Sequence, residues 1–154
     1  VFIFRGAEVL LIRKLRGLGA GKINGPGGRL EKGETAFDCA TREVQEELCV
    51  TPKQLELRGE LRFQFLDGHS IHAFVFTADD CDGEPTSTEE AIPLWTHRSA
   101  IPYEQMWADD RLWLPHLLQN KRFRGRFLFA GDVMLEQEVL VENESDCVVA
   151  LSCP

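Results

Sequence analysis

Long apolar runs are missing from this chain, whose uninterrupted hydrophobic stretches, such as Val1 to Phe4, extend only a few residues. Crossing a bilayer as a helix takes roughly 20, so a helical membrane protein is excluded and no membrane partner is expected. Paired cysteines are missing too. The five, at positions 39, 49, 81, 147 and 153, are odd in number and contain no C-x-x-C, which makes a poor framework for disulfides or zinc and points to a reducing cytoplasm. Positive charge is scarce: 17 Lys and Arg stand against 25 Asp and Glu, a formal charge of −8. That balance disfavours duplex nucleic acid, whose sequence-independent binding comes from cations neutralising phosphates. A phosphorylated substrate would then need a metal or local basic groups. His69, His72, His97 and His116 have no metal-ligand spacing, Gly17 to Lys22 lacks the first glycine and the final hydroxyl of a P-loop, and Gly17-Leu18-Gly19 is no dinucleotide fingerprint. With neither an initiator Met nor a basic leader, Val1 reads as a trimmed start and a secretory signal is unsupported. No repeat or low-complexity tract is found.

The rest is ordinary for a folded domain, at 44% hydrophobic and 27% charged over 154 residues. One domain over residues 1–142 is expected, with 143–154 an unassigned tail. Val1 to Ile12 reads as two strands around Arg5-Gly6-Ala7-Glu8. Leu15 to Gly28, rich in glycine, is a loop. Apolar Phe37, Ala40, Val44 and Leu48 recur at helical spacing within Glu34 to Leu48, and Pro52 marks that helix's end. Strands follow at Leu61 to Phe65 and Ser70 to Ala78 around Asp67-Gly68, and at Ala91 to Thr96, with Asp79 to Ser87 read as turns. A second helix spans Arg111 to Lys121, where Pro115 fits only near the first turn. Arg126 to Ala130 and Leu135 to Val141 form a last hairpin around Gly131-Asp132.

On the first helix Glu43 and Glu47 fall on one edge with Glu46 just beyond, so three carboxylates are expected to converge. Such a cluster repels itself unless a cation joins it, and Mg²⁺ prefers oxygen ligands. A solvated acidic face is the bland alternative, and spacing decides between them. Gly28 is followed after five residues by Glu34 and after seven more by Arg42-Glu43-Val44-Gln45-Glu46-Glu47. Six fixed positions at about 6% usage each coincide by chance about once in twenty million start points.

The segment resembles the Nudix box, G-x5-E-x7-R-E-U-x-E-E-x-G-U with U apolar. Cys49 stands at its second glycine, where a wider or strained turn is expected. The resemblance implies an α/β fold, an α/β/α sandwich with a mixed central β-sheet between the two helices. It also implies a pyrophosphohydrolase using Mg²⁺, with Mn²⁺ as a substitute and no organic cofactor. Glu46 and Glu47 would be chief metal ligands, the Gly28 carbonyl would complete the shell, and Glu43 would be a further ligand or the general base. Arg42 would orient Glu43 or Glu47, and Glu34 would brace the loop. Glu90 either joins the shell or is a surface acid.

Beyond the box, residues 16–25, 101–110, 113–123 and 125–127 resemble the mammalian-type MutT homologues, which hydrolyse oxidised purine nucleoside triphosphates such as 8-oxo-dGTP or 2-hydroxy-dATP to the monophosphate and pyrophosphate. The resemblance implies nucleotide-pool sanitation by a monomer. Asn24, Trp107, Asp109 and Asp110 would hold the base, joined by Phe63 and Lys14 as substrate contacts. An indole offers a stacking face, and adjacent aspartates can differ in protonation. Helix N-capping is the competing role for the aspartates, and core packing for Phe63 or Phe65. Leu18 replaces an aromatic of that subgroup and Ala108 a proline. A Nudix hydrolase for another nucleoside diphosphate derivative, and a non-catalytic nucleotide-binding module, are the alternatives.

Overall fold

The computed structural model describes residues 1–142; the tail at 143–154 lies outside the described residues. By backbone contact the chain falls into two compact units, one of residues 1–57 and 74–108, the other of 58–73 and the chain from Asp109 onward. Among the described residues no helix is long and apolar enough to cross a membrane.

The first unit is organised by strand β2 (Glu8–Lys14). β1 (Phe2–Arg5) returns antiparallel to it with Arg5 opposite Glu8, a two-residue turn that Gly6 enters at φ +58°. β8 (Ala91–His97) pairs with β2 along its full length, from Glu8 opposite His97 to Lys14 opposite Ala91. A strand has only two edges, so β1 at residues 8–10 and the short β3 (Ile23–Asn24) at residues 12–13 share the other edge. β1 then pairs in parallel with the end of β6 (Ser70–Ala78), Phe2 opposite Thr77, which makes the pairing mixed. Ile3, Leu10 and Ile12 pack with Val44 and Leu48 of helix α1 (Ala36–Leu48), together with Val50, Ala78 and Ala91.

α1 starts two residues later than its apolar pattern suggested. Thr35 caps it, its hydroxyl accepting from the Asp38 N–H at 3.1 Å while the Asp38 carboxylate accepts the Thr35 N–H at 3.2 Å. It ends at Leu48, as that pattern indicated, with Cys49 as its cap; Pro52, read as the stop, lies beyond it inside strand β4 (Thr51–Lys53). β4 pairs with β7 (Asp80–Asp82) in the stretch read as turns; a two-stranded ribbon tolerates proline because an edge N–H needs no partner. Cys49 takes the left-handed conformation, φ 59°, and its N–H donates to the Gln45 carbonyl at 2.9 Å. The turn thus keeps the geometry a glycine would give. A side chain there costs about 1–2 kcal/mol, and exposed Cys49 recovers little of it by packing. Cys49→Gly is expected to raise Tm by roughly 2–4 °C, read by calorimetry; a lower Tm would show that the thiol makes a compensating contact.

In the second unit β5 (Glu56–Phe65) pairs in parallel with β9 (Phe123–Ala130), Gly59 opposite Phe123 through Phe65 opposite Phe129. β10 (Val133–Val141) folds back antiparallel on β9 around Gly131, so pairing here is mixed as well. A Cβ on Gly59 would overlap the Phe123 ring, which explains the glycine. Helix α2 (Asp110–Leu118) buries Trp113, Leu114 and Leu117, with Trp113 stacked on Phe123 at 5.4 Å. Pro115 is its sixth residue, not in the first turn as expected; burial of the flanking residues sustains the helix despite the missing N–H. The α/β class with mixed strand pairing is what the box resemblance implied.

Candidate active site

α1 lines up the acidic residues and Arg42 gathers them. Its Nη1 donates to Glu43 Oε1 at 2.9 Å and to Glu46 Oε2 at 3.1 Å, one turn apart. Its Nε and Nη2 grip both oxygens of Glu34 at 2.7 and 3.0 Å, and Nη2 also reaches the Arg29 carbonyl at 3.0 Å. A fork matched to a carboxylate is the strongest form of this contact. It lowers the pKa of the Glu34 carboxyl to about 2, helped by the Glu31 N–H, and raises the guanidinium above its ordinary range. Glu34, placed before the helix, therefore braces the loop through Arg42.

Glu47 is set apart. It is only 1% exposed, accepts the Gly27 N–H on Oε2 at 2.8 Å and faces the Lys14 ammonium across 3.8 Å. Burial pushes its carboxyl above the usual range and the Glu43 charge adds to that, while Gly27 and Lys14 pull the other way. Arg42 thus holds Glu43 and Glu46 but not Glu47. Gly28 completes the group: a Cβ there would overlap the Glu43 carboxylate, so only glycine lets that carboxylate lie against the loop backbone. Thr88 ties the later loop to the end of α1, its hydroxyl donating to the Glu47 carbonyl at 2.9 Å. Glu90, two residues on, points instead to Arg16 in an ion pair.

The remaining expected residues are placed as follows. Asn24 lies on β3 and its side-chain oxygen accepts the Gly25 N–H at 2.8 Å. Trp107, partly exposed, follows a single 3-10 turn at Tyr103–Gln105. In the second unit Asp109 and Asp110 are each 3% exposed. Asp109 precedes α2, yet its side chain makes no capping bond; Oδ2 accepts from the Trp113 indole N–H at 2.9 Å. Capping is therefore not its role. Burial raises its carboxyl above the ordinary range, against the pull of that N–H. Phe63 stacks on Phe127 at 5.3 Å and Phe65 on Phe129 at 5.7 Å, so both join aromatic packing.

A NUDIX domain model matches residues 1–117. The chain belongs to the Nudix family. An oxidized purine nucleoside triphosphate hydrolase from Danio rerio is 43% identical to it over 147 residues, 95% of this chain and 91% of that protein. The Mus musculus protein of the same name is 40% identical over 84% of this chain and 83% of its own length. Among solved structures, a mutator MutT protein from Bacillus halodurans is similar at a TM-score of 0.80 and 28% identity, covering 90% and 93% of the two chains.

The Nudix box residues also fit a hard divalent cation. Among the described residues no three His, Cys, Asp or Glu side chains are gathered tightly enough to hold a metal as they stand, so the expected three-way convergence is not formed. Arg42 draws Glu43 and Glu46 to itself while Glu47 turns to Gly27. Mg²⁺ needs no such trio, being held by one or two carboxylates with retained waters. A buried carboxylate raised by burial and by a second carboxylate, beside a glycine backbone, is the oxygen-rich environment such an ion stabilises. Gly28→Ala is expected to displace the Glu43 carboxylate and cut kcat by about tenfold or more with Tm almost unchanged, because the tip of Glu43 can swing away. Steady-state kinetics and a melting curve check this; wild-type kcat would show that the close approach has no role.

Reading the box alone misses Gly27, Thr88 and the Arg16 grip on Glu90. Gly27 is visible as part of Gly25-Pro26-Gly27-Gly28, but nothing local marks which amide turns toward a helix twenty residues on.

Proposed function

We propose that this Nudix chain hydrolyses oxidised purine nucleoside triphosphates, such as 8-oxo-dGTP or 2-hydroxy-dATP, to the nucleoside monophosphate and pyrophosphate, and so cleanses the nucleotide pool. The observation that carries this reading is an acidic box in which one arginine holds Glu43 and Glu46, in a chain of which 95% matches a relative named for that activity.

Glu46, Glu47 and the Gly28 carbonyl would hold Mg²⁺, with Mn²⁺ as a substitute. When bound, the ion supplies neutralising charge to the phosphate oxygens. Glu43 takes the proton of the attacking water. Arg42 occupies its Oε1 and so steers the base, leaving Oε2 to receive the proton. Lys14, facing Glu47, binds phosphate oxygens. As water adds to phosphorus, the bond to the bridging oxygen breaks and pyrophosphate leaves. Glu90 enters the site only if Arg16 releases it, so its role as a ligand is secondary. By the resemblance to the oxidised-purine hydrolases, base reading is assigned to Asn24, Trp107, Asp109 and Asp110. Phe63 supplies an apolar wall through its exposed part.

The products test this. Incubation of the purified protein and Mg²⁺ with 8-oxo-dGTP should release pyrophosphate and monophosphate in equal amounts. Release of orthophosphate, or turnover confined to nucleotide sugars or dinucleotides, would reject the reading.

A further inference from the structure

The indole of Trp107 is met on one face and along one edge by the loop of residues 17–22. Lys22 Nζ stands over the ring, 4.8 Å from its centroid. Gly19 approaches the Nε1 edge so closely that a Cβ there would lie 3.1 Å from Nε1. Lys22 is fixed by its own backbone: its N–H donates to the Gly19 carbonyl at 2.9 Å and its carbonyl accepts the Lys14 N–H at 3.0 Å. The Gly21 N–H donates to the Lys14 carbonyl at 2.8 Å, which closes the loop at its base. Arg13 then ties this loop to the segment that carries Trp107, donating from Nη1 to the Gly21 carbonyl at 3.1 Å and from Nη2 to the Gln105 side-chain oxygen at 2.9 Å. The curl that permits this needs left-handed residues, and Gly17, Gly19 and Gly21 supply them at φ 75°, 81° and 88°.

A cation over one indole face has two consequences. The ring is held in one orientation before any ligand arrives, so a purine that stacks on it loses less freedom in doing so. The covered face is closed to a purine, so a purine that stacks on the ring must do so from the other side. We propose that Lys22 is a positioning residue for substrate: it caps one face of Trp107 and presents the other to the purine. This rests on the reading that the base stacks on Trp107. It assigns a task to the Gly17 to Lys22 part of the glycine-rich loop, which the phosphate chemistry leaves without one.

The experiment is a double-mutant cycle on the full chain, with 8-oxo-dGTP as substrate and melting temperature as the folding control. Lys22→Met should raise KM by about two- to five-fold, the weight of one partly exposed cation–π contact, with kcat unchanged. Lys22→Arg, which keeps a cation over the ring, should restore KM. In a Trp107→Ala background, where KM is already high, Lys22→Met should add nothing. An unchanged KM in Lys22→Met beside a raised KM in Trp107→Ala would overturn the positioning role alone. A Lys22→Met effect that persists in the Trp107→Ala background would also overturn it and assign the ammonium to phosphate binding. If Trp107→Ala itself leaves KM unchanged, the stacking reading falls and this inference with it.

Discussion

Glu47→Gln is expected to remove most hydrolysis, about 100-fold or more, while the protein stays folded. The direction follows from what the amide keeps and what it loses. The introduced amide still offers a carbonyl oxygen to the Gly27 N–H, which the carboxylate now meets at 2.8 Å, so the local backbone keeps its acceptor. A neutral group also removes the cost of burying a charge at a position only 1% exposed, so Tm should be equal or higher. What disappears is the negative oxygen that faces Lys14 and that we propose as a ligand of the divalent cation. Losing even an outer contact to a metal ligand costs about 10–100-fold in metal affinity or activity, and losing the ligand should cost at least that. Turnover at saturating Mg²⁺, with a melting curve, checks it. Wild-type kcat in a folded Glu47→Gln protein would remove Glu47 from the metal site.

Asp109 carries the second large effect, and its two substitutions should diverge. Asp109→Ala takes the acceptor from the buried Trp113 N–H, now 2.9 Å away, at a cost of about 1–3 kcal/mol. Roughly 2–4 °C of Tm is lost per kcal/mol in a chain of this length. Asp109→Asn retains an acceptor and should fold, yet it fixes a donor where the carboxyl could take either protonation state, so discrimination between oxidised and normal purines should fall while kcat on the preferred substrate changes little. Stability should separate the two with pH. Burial raises the folded-state carboxyl above the ordinary value of 3.8, so the folded wild type holds a proton that the unfolded chain releases. Its stability therefore falls as pH rises from 3.8 through the raised folded value, and Asp109→Asn, which has no such titration, gains on the wild type across that window. Melting temperatures from about pH 3.5 to 8, bracketing that window, and kcat/KM for 8-oxo-dGTP, 2-hydroxy-dATP and dGTP measure both. Unaltered selectivity in Asp109→Asn would leave Asp109 as support for Trp113 alone.

The elements legible in the sequence are those that carry a local signal. Gly6, Asp67-Gly68 and Gly131 mark three tight turns at which the chain reverses, and the spacing of Ala40, Val44 and Leu48 fixes the buried face of α1. β4 and β7 are hidden because three residues show no alternation, and Pro52 argues against a strand unless its edge is known to be free. In the site, spacing places Glu43, Glu46 and Glu47 on one helix edge but cannot say which Arg42 takes; that depends on Glu34 folding back from the preceding loop. Asp109 and Trp113 are four apart, a spacing that brings side chains together on a helix. What turns that proximity into a hydrogen bond is the burial of both, which comes from the aromatic packing around Phe123.

Selectivity across the nucleotide pool tests the central claim most directly. With Mg²⁺ and the purified full chain, kcat/KM should be measured for 8-oxo-dGTP, 2-hydroxy-dATP, dGTP, dATP and a nucleotide sugar. Values at least about tenfold higher are expected for one or both oxidised purines than for their normal counterparts, the weight of one or two hydrogen bonds to the base edge, with no turnover of the sugar. Equal values for oxidised and normal purines, or preference for the nucleotide sugar, would contradict the assignment.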